Sequence, residues 1–277
     1  MPDAPTAPLV LSATRNGVTT LTLNLPARLN GWTLPMMHAL RDAMAAADDD
    51  PATEVVVLTG TDPYYSAGVN LSSTMSFAHP RTLHAWIRDH NQALFDGFLH
   101  FDKPLIAAVN GPAIGATVTS ATLCDALLAS DRATFSTPFA ALGVTPEGCS
   151  SVLFAKLMGD ANAQRMLGPE GWKPTGAEAA QVGLADRVVP HEALLDEAHK
   201  LAESWIAEGR PRTFRAGMSR EELLAINAEE SKVLASAFLD APFLEGQYRF
   251  LRRKKKRRPA AMFWVLWRSR PLWKRLL

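Results

Sequence analysis

Lys103-Pro-Leu-Ile-Ala-Ala-Val-Asn-Gly-Pro-Ala-Ile-Gly-Ala-Thr117 is the stretch that decides the fold. Leu105 to Val109 is too short for a stable helix and shows no apolar–polar alternation, which is the pattern of a strand covered on both faces. Asn110-Gly111-Pro112 ends that strand, and small residues after Gly115 open a helix. Backbone N–H groups at such a start have no intrahelical partner, and Gly and Ala leave them open. Strand, glycine loop and helix in that order are the repeating unit of an α/β layer.

Upstream, Glu54-Val-Val-Val-Leu-Thr59 repeats the pattern and leads into a second loop, Tyr64-Tyr-Ser-Ala-Gly-Val-Asn70. Residues 10–25 read as two strands around Asn16-Gly17, a two-residue turn signal. Thr33 is placed to cap a helix that Asp48-Asp-Asp-Pro51 stops. Residues 80–101 read as a long helix with the stripe Leu83, Trp86, Ile87, Leu94, Phe95 and Phe98. Downstream, strands are expected at 126–130 and 133–136, a loop at 138–148, and helices over 149–168, 175–182, 191–208, 212–227 and 229–240. The whole reads as an α/β core over 1–200, a helical region over 201–250 and a tail over 251–277.

The 277 residues are 47% hydrophobic and 21% charged, ample for a large buried core and inconsistent with wholesale disorder. No apolar run reaches the ~20 residues that span a bilayer, and the first eight residues lack the basic and apolar regions of a secretory signal. Cys124 and Cys149 are too few for a disulfide framework, so an intracellular, soluble setting is expected, cytoplasmic or in an organelle matrix. No Gly-x-x-x-x-Gly-Lys-Ser/Thr, Gly-x-Gly-x-x-Gly after a strand, Gly-x-Ser-x-Gly or zinc-type His/Cys spacing occurs. Phosphate-loop hydrolases, dinucleotide enzymes and metal sites are thereby disfavoured. Cys149 reads as a buried thiol, since no base is placed to ionise it.

Two glycine loops and one acid remain. Either loop alone reads as a tight strand-to-helix turn; two sets of free N–H donors converging would make an oxyanion hole. Glu147, alone among small and apolar residues in Leu142-Gly-Val-Thr-Pro-Glu-Gly-Cys-Ser150, is either a helix-start charge stabilised by the dipole or a desolvated base.

Together, Pro26-Ala-Arg-Leu-Asn-Gly31, Val57-Leu-Thr-Gly60, Tyr65-Ser-Ala-Gly-Val-Asn-Leu71, the 103–111 segment and Cys124-Asp-Ala-Leu-Leu-Ala-Ser-Asp131 resemble the crotonase (enoyl-CoA hydratase and isomerase) superfamily over roughly residues 10–250. The resemblance implies an α/β spiral of β-β-α units, a C-terminal helical trimerisation region, an acyl-CoA thioester substrate and a homotrimer or dimer of trimers. It implies no cofactor, CoA being part of the substrate, and no metal. It assigns the oxyanion-hole donors to the N–H groups of Ala67 and Ala116. Substrate and CoA contacts fall to Arg28, Asn30, Gly31, Ser66, Gly68, Asn70, Leu71 and Phe139, with the fatty chain near Leu71, Met75 and Phe77. Asn70 departs from the Asp common at that place in the family, which keeps the hydrogen-bonding shape and loses the charge.

Hydratases of this superfamily carry two glutamates where this chain has Thr119 and Phe139. Water addition needs one group to activate water and one to deliver a proton. Losing both disfavours hydration, and Phe139 suits a dry pocket. The stretch Ser130-Asp-Arg-Ala-Thr-Phe-Ser-Thr-Pro-Phe139 with Pro146-Glu-Gly-Cys-Ser-Ser151 resembles the peroxisomal-type Δ3,Δ2-enoyl-CoA isomerases, which makes Glu147 the acid/base. The alternatives are other acyl-CoA chemistry on the same oxyanion hole, as hydratase or thioesterase, and a non-catalytic acyl-CoA binder.

From Arg249 onward there are 12 Lys or Arg and no acid, leaving 17 basic and 28 acidic residues, −11, for the remainder. An acidic body repels phosphate backbones, so nucleic acid is not expected there as a partner. The basic tail, with Phe263, Trp264, Trp267 and Trp273, fits CoA phosphates with its aromatics packed on a neighbouring subunit, or peripheral contact with an anionic membrane. From the charge run alone, a nuclear or nucleic-acid address also fits. Its end, Arg275-Leu-Leu277, does not match a peroxisomal tripeptide.

Overall fold

The computed structural model describes residues 7–69 and 78–276. Strands β1 (Val10–Arg15) and β2 (Val18–Leu23) form an antiparallel hairpin whose turn residues, Asn16 and Gly17, both have positive φ. That conformation suits Asn-Gly and matches the twist of paired strands. Helix α1 (Leu34–Asp49) begins where Thr33 accepts from the Met36 N–H. Strands β3 (Val55–Gly60), β4 (Leu105–Val109), β6 (Ala126–Ser130) and β8 (Arg187–Val189) extend the hairpin into a six-stranded sheet of order β1-β2-β3-β4-β6-β8, parallel from β2 on. Strands β5 (Ala113–Ile114) and β7 (Phe135–Ser136) form a separate parallel pair.

The uninterrupted apolar runs follow from cover on both sheet faces. Val56, Leu58, Ala107 and Leu127 face the main core, with Met36, Leu40 and Phe95. Val55, Val57, Ile106 and Leu128 face Leu194, Ala198, Ala202 and Trp205. Each buried Val, Leu or Ile contributes roughly 1.5–3 kcal/mol.

Among the described residues the remaining α-helices are α2 (Pro80–Leu99), α3 (Ala116–Thr122), α4 (Phe139–Leu142), α5 (Ser150–Leu167, kinked at Gly159), α6 (Gly176–Val182), α7 (Leu194–Ala207), α8 (Arg220–Phe238), α9 (Ala241–Arg253) and α10 (Arg257–Trp273). Two expectations are corrected. Residues 133–136 yield only a two-residue strand, because β5 offers only two partners. The helices expected at 212–227 and 229–240 are instead a non-helical stretch, a short 3-10 turn (Arg215–Gly217) and one continuous helix. Arg212 and Thr213 are held in place by Asp125, and the helix starts at a capping box between Ser219 and Glu222.

The tail is not free. Helices α9 and α10 pair as a hairpin and bury Phe243, Leu251, Phe263, Leu266 and Trp273 against Leu83 and Ile87 of α2 and Leu239. Arg270 donates to the Leu239 carbonyl and pairs with Asp240. Tail aromatics expected to meet a neighbouring subunit are in part committed to this chain: Phe263 and Trp273 are buried and Trp267 stacks on Tyr248. The outer face of α10 carries Trp264, 46% exposed, and Val265, with Leu272, 86% exposed, further along. Arg257, Arg268 and Arg275 lie on the same face at helical spacing. Among the described residues no helix is long and apolar enough to cross a membrane.

Candidate functional site

The two glycine loops are joined edge to edge. Ser66 donates its N–H to the Pro112 carbonyl and accepts from the Ile114 N–H through its own carbonyl, 3.2 and 3.1 Å. Gly68, at φ +79°, passes so close to β5 that a Cβ there would lie 2.4 Å from the Ile114 carbonyl oxygen. Only glycine fits both demands. The loops expected to carry the two donors are therefore adjacent.

Ala67 does not supply the first donor: its N–H is bonded to the Leu29 carbonyl at 2.9 Å. Two residues on, the Val69 N–H has no acceptor among the described residues, and Val69 faces the cleft that holds Glu147. The Ala116 N–H, at the start of α3, likewise has none.

Glu147 lies on the turn between α4 and α5, its carbonyl held by the Ser150 hydroxyl at 2.7 Å. Gly148 follows at φ +62°; a Cβ there would stand 2.5 Å from the Phe95 ring and 2.7 Å from Thr119 Oγ1, so this turn sits directly on α3. The Glu147 side chain enters a cleft of about 90 Å³ walled by Leu34, Met37, Trp86, Leu94, Leu234 and Phe238. Loss of water there pushes its carboxyl up to about 7; the Asn91 amide, donating to Oε2 at 2.5 Å, opposes the rise, and the nearby Glu230 carboxylate adds to it. A helix-start charge would show the opposite trend.

Among the residues expected at the substrate, Asn30 and Ser66 have side chains that hold the loops together. Asn30 is fully buried: its Oδ1 accepts from the Leu25 N–H, and its Nδ2 donates to the carbonyls of Thr61 and Tyr64. Ser66 donates to the Asn30 carbonyl at 2.7 Å and accepts from the Gly68 N–H. Gly31 is buried in the same turn, and Arg28 is exposed beside it. Phe139 is buried in α4 and does not line the Glu147 cleft, so it does not keep that cleft dry by direct contact. Asn70, Leu71, Met75 and Phe77 lie outside the described residues. Cys149 is no nucleophile: burial pushes its thiol far up, and it donates to the Leu223 carbonyl at 3.2 Å.

Asn91, Val69, Glu230 and Ser231 are site residues that sequence reasoning missed. Asn91 had a readable signal, a polar residue between the buried Leu83 and Ile87 and the buried Phe95 and Phe98 of the same helix. A larger space, about 1050 Å³, lies on another side of Val69, bounded by Leu142, Tyr248, Arg249, Arg252 and Arg253. Among the described residues no cluster of His, Cys, Asp or Glu is placed to hold a metal ion.

Residues 13–258 match the family profile described as Enoyl-CoA hydratase/isomerase. Over 250 residues the chain is 38% identical to Enoyl-CoA delta isomerase 2 of Homo sapiens, covering 87% of this chain and 62% of that protein. Over 258 residues it is 34% identical to "Enoyl-CoA delta isomerase 3, peroxisomal" of Mus musculus, covering 89% and 79%. It thus spans about six-tenths of the length of the first curated relatives it matches. A solved enoyl-CoA hydratase/isomerase from Pseudoalteromonas atlantica T6c is similar with a TM-score of 0.74 at 28% identity, covering 88% of this chain and 97% of that one. With the sheet order, the paired glycine loops and the helical C-terminal region, these matches establish that the chain has the crotonase fold and belongs to the enoyl-CoA hydratase/isomerase family.

Proposed function

We propose that the protein is a Δ3,Δ2-enoyl-CoA isomerase of unsaturated fatty-acid oxidation in which Glu147 moves a proton from C2 to C4 of the acyl chain. The observation that carries this reading is a single desolvated carboxylate in an apolar cleft also lined by Val69, whose N–H has no acceptor among the described residues, while Thr119 stands where a second acid would be needed for hydration. Glu147 takes the C2 proton; the C2–H electrons flow into the thioester, whose oxygen becomes an enolate oxygen held by the N–H groups of Val69 and Ala116. Return of the electrons re-forms the thioester carbonyl and makes C2–C3 the double bond, while the C3–C4 π pair breaks to take, at C4, the proton that the same carboxyl gives back. Each amide donor is worth about 3 kcal/mol of barrier, and a base with a pKa near ambient pH both accepts and returns a proton readily. CoA enters as part of the substrate. The arginines bordering the larger space supply charge suited to its phosphates.

The test is turnover of 3-enoyl-CoA beside hydration of 2-enoyl-CoA by the same preparation. Isomerisation at least ~10²-fold faster than hydration is expected, as one acid cannot serve both steps of water addition. Hydration as the faster reaction overturns the reading.

The outer face of α10 supports a second function, peripheral contact with an anionic lipid surface, because exposed Trp264 and Leu272 share it with arginines and no acid. Wild-type protein is expected to sediment with phosphatidylserine vesicles at low salt, and Trp264→Ser with Leu272→Ser to remain in solution. Equal sedimentation of both, or of neither, removes the membrane role.

A further inference from the structure

Two consecutive residues of α8 bond to groups that flank the acid. Glu230 is 7% exposed. Its Oε2 accepts from the Cys149 N–H at 2.6 Å and its Oε1 from the Ser151 N–H at 2.8 Å, bracketing the first residues after the Glu147 turn. Cys149 holds a left-handed conformation, φ 65°, that is unfavourable for a non-glycine residue. Such a conformation persists only where its surroundings fix it. Ser231, fully buried, donates its hydroxyl to Asn91 Oδ1 at 2.9 Å. An amide whose oxygen is so engaged presents its NH2 group on the other side, and Asn91 Nδ2 donates to Glu147 Oε2.

We propose that Glu230 and Ser231 are positioning residues for Glu147: Glu230 fixes the strained turn that carries the acid and places a like charge beside it, and Ser231 fixes the orientation of the Asn91 amide that bonds it. The proposal rests on Glu147 being the acid/base. Neither residue lines the cleft, so neither touches substrate. A carboxylate buried only to cap a helix is a costly substitute for a serine or an aspartate at the cap itself. Here the cap residue is Cys149, and the acid comes from 81 residues away.

The titratable and charged groups facing this turn are Glu230 from α8, and His90 and Asp96 from α2; α1 and the 66–69 loop present Leu34, Met37 and Val69. The two residues therefore have opposite electrostatic effects on the acid. The Glu230 charge disfavours ionisation of Glu147, whereas the Asn91 bond that Ser231 secures favours it.

The experiment is the pH profile of kcat/KM for 3-enoyl-CoA, which reports the ionisation of the free enzyme, for wild type, E230Q, S231A and E147Q. E230Q removes the like charge, so the acid-side limb is expected to move to lower pH by about half a unit or more. S231A frees the Asn91 amide, so the limb is expected to move to higher pH. The Glu147 carboxyl followed by carbon-13 resonance is expected to shift in the same two directions, and S231A alone carries both readouts if E230Q does not fold. Rates that fall at every pH with unmoved limbs and an unmoved resonance indicate a structural role and overturn the proposal. If E147Q is as active as wild type, the acid/base reading itself fails and this proposal with it. An inactive E147Q with unmoved limbs in the others removes the positioning role alone.

Discussion

Asp125→Ala is expected to destabilise the fold by about 3–5 kcal/mol, against a total of about 5–15 kcal/mol for an ordinary domain. The Asp125 carboxylate accepts from the Leu105 N–H at 2.8 Å, the Thr213 N–H at 2.5 Å and the Thr213 hydroxyl at 2.9 Å, and it forms an ion pair with Arg212. The two side chains are 0% and 4% exposed. Arg212 also donates to the carbonyls of Phe98 and Leu123, so one guanidinium fastens the C-terminal helices to the ends of α2 and α3. Deleting the carboxylate leaves a buried cation without its counter-charge and three backbone or hydroxyl donors unpaired. Urea unfolding monitored by far-ultraviolet circular dichroism measures the loss; a change below ~1 kcal/mol would mean that water reaches Arg212 and that this junction is not closed.

That junction also shows where sequence reading stops. The strand–loop–helix units at 54–70 and 105–117 were legible because a strand buried on both faces cannot alternate, and because Asn-Gly and Gly-Ala steps announce a change of direction. Glu147 stood out as one acid in an apolar context. By contrast, the face of α8 turned toward the site is polar: between Leu223 and Leu234 it buries Asn227, Glu230 and Ser231. The apolar period therefore breaks at residues 227–231, and the reading splits one helix into two. The interruption coincides with the contacts around the Glu147 turn, since Asn227 donates to Asp96 and the Gln92 carbonyl while its neighbours hold Asn91 and the Cys149 turn. Val69 was missed for a different reason. Which amide of a tight loop is left free depends on which carbonyls face it, and Leu29, remote in sequence, engages Ala67.

The placement of Glu147 makes the second large effect a kinetic one. Glu147→Gln keeps the size of the side chain and an oxygen for the Asn91 donor, and it removes the proton-accepting group. Burial penalises the ionised acid, lifting its pKa to about 7, so the charged form opposes folding above that pH and the neutral amide does not. The variant is therefore expected to fold at least as well as wild type at neutral pH. Its turnover is expected to fall by about 10²–10⁴-fold, the usual contribution of one positioned acid–base group.

The most direct measurement is kcat for 3-enoyl-CoA in wild type and Glu147→Gln, taken beside the Kd of each for a saturated acyl-CoA. A loss of that size in kcat with Kd unchanged is the predicted result, because the amide still fills the cleft and the backbone donors are untouched. Wild-type turnover in the variant would contradict the assignment of the proton shuttle to this carboxylate.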